Sequence, residues 1–227
     1  MASDIVITSD STTDLSPELR ERYNISVAPL GITLGDKVYT DGVDITPDDI
    51  YAHHAKTGEL PKTTATNVGD CLDFFKKFTD EGKTVIHFTI SSDMSSTYNN
   101  ACIAASELEN VYVIDTKNLS TGGGLLVVAA AEMLRDGLSA EEIVKKSAEL
   151  VPCVDASFVI DSLEYLYKGG RCSALAMFGA NLLKLKPCIQ VKNGKMDVSK
   201  KYRGKFEDVL KQYITEKAED YSDIVLD

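Results

Sequence analysis

The sequence predicts an α/β chain, with an N-terminal domain built on a parallel sheet covered by helices on both faces and a second α/β domain behind it. Three observations predict this. Short apolar runs alternate with helix-length segments through most of the chain, the pattern of a parallel sheet. Several of those helical segments open on recognisable caps. A composition shift near Pro152 is followed by a new strand and a strong hairpin signal. The boundaries expected from this are 1–153 for the first domain and 154–227 for the second.

The elements follow in order. Ile5-Val6-Ile7-Thr8 reads as a first strand, with Ser9-Asp10-Ser11-Thr12 as a polar loop behind it. Ser16-Pro17-Glu18 opens a helix, serine capping and proline at the first helical position. Val27 to Leu30 is a second apolar run, and residues 32–39 read as a hairpin about Gly35-Asp36. Thr46-Pro47-Asp48-Asp49 starts a helix that Gly58 ends. Thr63-Thr64-Ala65-Thr66-Asn67 is a hydroxyl-rich loop, and Asn67 with Asp70 caps a helix over 68–79. Residues 84–90 form a clear strand. Ser91-Ser92-Asp93-Met94-Ser95-Ser96-Thr97 is a second hydroxyl-rich loop before a helix to about Leu108. A strand over 111–114 ends at Asp115. Gly122-Gly123-Gly124 precedes a nearly all-apolar helix, 125–134, expected to be buried all round. Ser139-Ala140-Glu141-Glu142 is a capping box.

In the second domain, Ser157 to Ile160 reads as a strand and Gly169-Gly170-Arg171 as a turn. An apolar helix is expected over 174–185. Residues 188–198 form a hairpin about Asn193-Gly194. A helix over 205–217 then leads to an apolar strand at Ile224-Val225-Leu226. A helix feeding a lone terminal strand suggests that this domain is truncated at its C-terminus or unusually small.

Composition narrows the function. The 227 residues are 44% hydrophobic, enough for a sizeable core, and the formal net charge is −11. An acidic chain lacks the clustered Lys and Arg that displace counterions from nucleic acid, and anionic membrane surfaces repel it. No apolar run reaches membrane-spanning length, which argues against stable membrane insertion. No basic stretch, apolar core and cleavage site open the chain, which points to a cytoplasmic protein. The five cysteines (Cys71, Cys102, Cys153, Cys172 and Cys188) are widely spaced and read as buried, reduced thiols. The three histidines give no metal-ligand pattern, and no metal is expected.

The two hydroxyl-rich loops are the best candidates for a site. Each precedes a helix, whose first turn carries unpaired N–H groups and partial positive charge. Ligands of open parallel sheets sit at the carboxyl ends of strands. Serine and threonine add donors there, which suits a carboxylate or a phosphate. Any single hydroxyl can equally be a helix cap. Other motifs fail. Gly82-Lys83-Thr84 looks like the end of a phosphate loop, but Lys77 stands where that motif needs glycine. No G-x-S-x-G elbow exists. His87 falls inside a strand and reads as a core residue. Asp10 and Asp115, at strand ends, could serve acid-base work or cap loops through Asx turns, and the second reading is favoured. Arg171 and Arg203 lie beside glycines, either as exposed turn residues or as contacts to an anion or an acidic partner surface.

With these pieces in view the sequence resembles the DegV family. The matching segments are Ser9-Asp10-Ser11-Thr12-Thr13-Asp14-Leu15, Pro61-Lys62-Thr63-Thr64 and Ile90 through Tyr98. Val113-Ile114-Asp115-Thr116, Leu163-Glu164-Tyr165-Leu166 and Gly169-Gly170-Arg171 follow. The last are Asn181 through Pro187 and Tyr202-Arg203-Gly204. They run in order along nearly the whole chain. The resemblance implies two α/β domains that bind a long-chain fatty acid between them, with no other cofactor. Thr63 and Ser95 match the positions that hold the carboxylate, with Thr64, Ser96, Arg171 and Arg203 in support. It implies presentation of the acyl chain to a separate fatty acid kinase that makes acyl phosphate, and no catalysis by the chain itself. The chain departs from the family pattern in three ways. Ser96 replaces a usual glycine, Thr64-Ala65-Thr66 replaces Ser-Gln-Pro, and the family's C-terminal portion, with a histidine near the site, is absent. The alternatives are a serine-dependent hydrolase or phosphotransferase using Ser95, which would need a nearby base, or an interaction module without a small ligand.

Overall fold

The computed structural model describes residues 4–172 and 185–220. The helix expected over 174–185 and the strand at Ile224-Val225-Leu226 lie outside the described residues, apart from Leu185. The chain divides into two compact units, Met1–Val154 with Asn193–Lys195, and Asp155–Lys192 with Met196–Asp227.

The first unit is built on four parallel strands in the order β2-β1-β6-β7. These are β1 (Ile5–Asp10), β2 (Ser26–Ala28), β6 (Thr84–Thr89) and β7 (Val111–Asp115). Alternate residues of each strand point to opposite faces. On one face Ile7, Ile86, Phe88 and Ile114 pack against α5 (Ser120–Arg135) and α6 (Ala140–Leu150) through Leu126, Val127, Ala130, Ala131 and Ile143. On the other, Val6, Val85, Val111 and Val113 meet α3 (Val68–Thr79) and α4 (Thr97–Ser106) through Cys71, Phe74, Phe75, Ala101 and Ala104. Helices therefore cover both faces. His87 sits in the second layer between the Phe74 and Phe75 rings, with Nδ1 2.9 Å from Thr8 Oγ1. Burial drives its pKa down to about 3, so it stays neutral.

The caps form as their residue types require. Ser16 caps α1 (Pro17–Tyr23) and Asn67 caps α3. Capping boxes at Thr46/Asp49 and Ser139/Glu142 open α2 (Pro47–Thr57) and α6. Gly58 closes α2 at φ 74°.

A second, smaller sheet belongs to the same unit. Its order is β4-β3-β5, all antiparallel, from β3 (Gly31–Leu34), β4 (Lys37–Thr40) and β5 (Lys62–Thr64). Ile32, Leu34 and Ile45 make its core with Tyr39 and Ile50. The first hydroxyl-rich segment is thus partly strand rather than loop. Thr63 pairs with Ile32 and Thr64 with Gly31. The pairing depends on Gly31, because a β-carbon there would lie 2.6 Å from Thr64 Oγ1.

Two further expectations are corrected. Gly122, Gly123 and Gly124 do not precede the apolar helix but lie within α5, buried. A β-carbon on Gly124 would come 2.8 Å from the Thr13 carbonyl oxygen, so the glycines let the helix approach the turn at Ser11–Thr13. That helix is also not buried all round, since Leu125 is 64% exposed. Among the described residues the cysteines form no disulfide, but Cys153 is exposed and Cys102 only half-buried.

The second unit carries a sheet of order β10-β9-β8, from β8 (Ser157–Val159), β9 (Lys186–Lys192) and β10 (Lys195–Tyr202). Strands β8 and β9 run antiparallel, and Asn193 and Gly194, both at positive φ, make the tight turn into β10. A short helix α7 (Glu164–Gly169) ends on Gly170 at φ 73°. The final helix α8 (Phe206–Asp220) buries Val209 against Cys188 and Tyr202.

Candidate functional site

The chain leaves β1 toward β2 on one side, while β6 lies on the other. The carboxyl ends of β1 and β6 therefore flank a topological switch point, the place where open α/β sheets hold ligands. The loop from Ser91 to Ser96 starts there and feeds α4.

Two acidic strand ends shape that loop. Asp10 is fully buried, and its carboxylate accepts from the Thr12 amide at 3.1 Å, the Thr12 hydroxyl at 2.5 Å and the Ile90 amide at 2.7 Å. Burial pushes its pKa up, opposed by those hydrogen bonds. Asp115 Oδ1 accepts from the Lys117 amide at 2.9 Å and the Ser92 amide at 3.2 Å. Both are the Asx turns that the sequence indicated. Their reach into the loop is what sequence reasoning missed, because it depends on which strands are neighbours.

Lys117 adds a third hold. Its Nζ lies 2.8 Å from Ser92 Oγ, 2.9 Å from Asp93 and 3.1 Å from Asp115. The hydrogen bond with Asp93, and then that with Asp115, raises its pKa, and Lys117 in turn lowers that of Asp93. Lys195 Nζ also approaches Asp93, at 3.6 Å, so two ammoniums face two carboxylates and no surplus positive charge is left here.

Ser95 is half-buried at the head of α4. Its Oγ accepts from the Thr97 amide at 3.2 Å and lies 2.9 Å from Thr97 Oγ1. Ser96, beside it, is exposed and makes no capping bond. Its φ of −79° is ordinary for any residue, so serine in place of the family's glycine introduces no backbone strain. Thr63 and Thr64 are exposed on β5. Past them, buried Thr66 offers its carbonyl to Asn100 Nδ2 at 2.8 Å. That bond joins the Thr63–Thr66 segment to the helix that follows Ser95. No hydrogen bond joins Thr63 to Ser95.

The remaining candidates lie in the second unit. Arg171 is exposed, its guanidinium donating to the Gly169 carbonyl at 2.6 Å, and Arg203 is exposed after β10. That unit also has an open cleft of about 350 Å³, lined by residues that include Ser157, Tyr202, Tyr213, Glu216 and Lys217. These polar walls do not suit an acyl tail. Among the described residues no cluster of metal-ligating side chains occurs, and no helix is long and apolar enough to cross a membrane.

A family model described as "Uncharacterised protein, DegV family" matches residues 4–223. The chain belongs to the DegV family. A DegV domain-containing protein of Clostridium perfringens is 36% identical over 202 residues, which are 88% of this chain and 72% of that one. Among solved structures, a DegV family protein from Thermus thermophilus, described by its fatty acid binding, superposes with a TM-score of 0.87 at 30% identity. The match covers 96% of this chain and 78% of that one. A stearic acid-binding protein from Eubacterium ventriosum superposes at 0.82 with 34% identity, over 94% and 78% of the two chains.

Proposed function

We propose that this chain is a cytoplasmic protein that binds one long-chain fatty acid and presents it to a separate fatty acid kinase, without catalysing a reaction itself. The observation that carries the reading is the Ser95 hydroxyl at the head of α4, beside the switch point, in a family whose solved members include fatty-acid-binding proteins. Thr63 is the second hydroxyl of the seat, with Thr64 and Ser96 in support. Neutral donors and helix-start amides orient the head group, and the tail supplies affinity. Each buried CH₂ is worth about 0.8 kcal/mol, so a chain of ~16 carbons contributes on the order of 10 kcal/mol before ordering costs. Arg171 and Arg203, exposed on the second unit, suit an acidic partner surface.

The hydrolase and phosphotransferase readings lose their support at Ser95. A serine nucleophile needs a base, and the side-chain and amide partners of Ser95 Oγ are both Thr97. His87 is buried against Thr8, while His53 and His54 hydrogen-bond to Glu59.

Organic extracts of the purified protein, examined by mass spectrometry, are expected to contain fatty acid. Ser95→Ala is expected to weaken fatty-acid binding about tenfold, the worth of one hydrogen bond to a charged group. An unchanged dissociation constant removes Ser95 from the site, and empty extracts together with no titratable binding defeat the reading.

A further inference from the structure

The hydrogen bonds around Ser95 specify more than its position. A hydroxyl has one proton to give and two lone pairs to receive with. Thr97 is 0% exposed, so its hydroxyl proton has no water to turn to. Its hydrogen-bond partner among the described residues is Ser95 Oγ, 2.9 Å away. A buried donor left without an acceptor is penalised, so the Thr97 proton points at Ser95. The reverse arrangement, with Ser95 donating, would strand the Thr97 proton. The Thr97 amide also donates into Ser95 Oγ, at 3.2 Å. Both lone pairs of Ser95 are then occupied from one residue. The Ser95 proton must point away from Thr97, and Ser95 is exposed enough for that proton to meet a ligand.

We propose that Thr97 is a positioning residue that makes Ser95 a one-way donor, so that the seat takes acceptor-only head groups such as carboxylates and refuses donor-only ones such as ammonium. The inference rests on the fatty-acid reading for its ligand, though not for its hydrogen-bond direction. It assigns the preference for an acid to the second residue from Ser95 rather than to a nearby positive charge. Lys117 and Lys195, the cations that reach this loop from elsewhere in the chain, are already engaged by Asp93 and Asp115.

The test compares palmitic acid with hexadecylamine, which share a tail and differ in the head. Thr97→Val removes the hydroxyl and keeps the shape, while Thr97→Ser keeps the hydroxyl. Thr97→Val is expected to weaken palmitate about fivefold and to strengthen hexadecylamine, because a lone pair of Ser95 is freed. Thr97→Ser is expected to retain the wild-type ratio of the two affinities. Loss of both affinities together in Thr97→Val, an unchanged ratio, or a Thr97→Ser variant that behaves like Thr97→Val would overturn the proposal. Proton NMR of the ligand-free protein supplies an independent reading. A slowly exchanging hydroxyl proton on Thr97, close to the Ser95 side chain and absent from Thr97→Val, supports the assigned direction. The same proton residing on Ser95 overturns it. Should the wild-type protein bind no palmitate, the fatty-acid reading fails, and the NMR result alone decides the role of Thr97.

Discussion

The parallel sheet β2-β1-β6-β7 and the small sheet β4-β3-β5 each carry one of the two hydroxyls assigned to the head group, and they hold them differently. Ser95 hangs from a frame buried on both faces, with Val85, Ile86, Phe88 and Val127 fully enclosed. Thr63 sits on an edge strand, exposed along its length, over a core of only three buried residues. The difference shows that the proposed seat, drawing on two sheets, need not be uniformly stiff. One half is fixed by deep burial. The other is fixed by a short ladder to β3, by the Thr66–Asn100 bond and by Ser11 Oγ accepting from the Leu30 amide at 3.1 Å.

The largest test of this contrast removes a ring from the frame. Phe88→Ala is expected to cost about 3–5 kcal/mol in denaturant unfolding, because the site cannot collapse around the void. A loss under about 1 kcal/mol would show that the frame is loosely packed. A smaller, more local effect is expected from Ile32→Ala in the small sheet. Amide exchange should rise in Gly31–Leu34 and Lys37–Thr40 while the Val85–Phe88 amides keep their rates. Equal acceleration in both sheets would mean that they open as one unit and would break the comparison.

The smallest effect lies outside both sheets and serves as a control. Lys200, then Tyr202 and Gln212, hold the Glu216 carboxyl at a pKa of about 2, below its ordinary 4.5. A depressed carboxyl stabilises the fold fully above the unfolded pKa and loses that contribution as pH falls toward the folded one. Exchange in β10 and α8 should therefore accelerate between about pH 4.5 and about pH 2. Glu216→Gln should flatten that dependence and leave the frame untouched.

What the sequence disclosed follows the range of each signal. The capped helices were legible because their signals are local: Asn67 with Asp70, Ser139 with Glu142, Thr46 with Asp49. The β9–β10 turn was legible for the same reason. Strand β5 was not, since Thr63 and Thr64 have no apolar alternation and owe their extended pairing to Gly31, more than thirty residues earlier. The glycines of α5 read as lying before the helix rather than in it, because what they pack against, the Thr13 carbonyl, lies far back in the chain. Ser95 stood out as a candidate from its hydroxyl-rich setting. What governs its proton, an enclosed neighbour two residues on, required knowing that Thr97 is sealed from water.

Asp10 and Asp115 grip the backbone amides of Ile90 and Ser92 from two strand ends, through bonds internal to the chain. The curve of that stretch is settled when the protein folds, so an arriving molecule does not have to mould it. Little freedom remains there to be surrendered on capture, and more of the attraction survives as net affinity. Weakening either grip should then show first as faster departure of the guest, even where every group that touches it is intact.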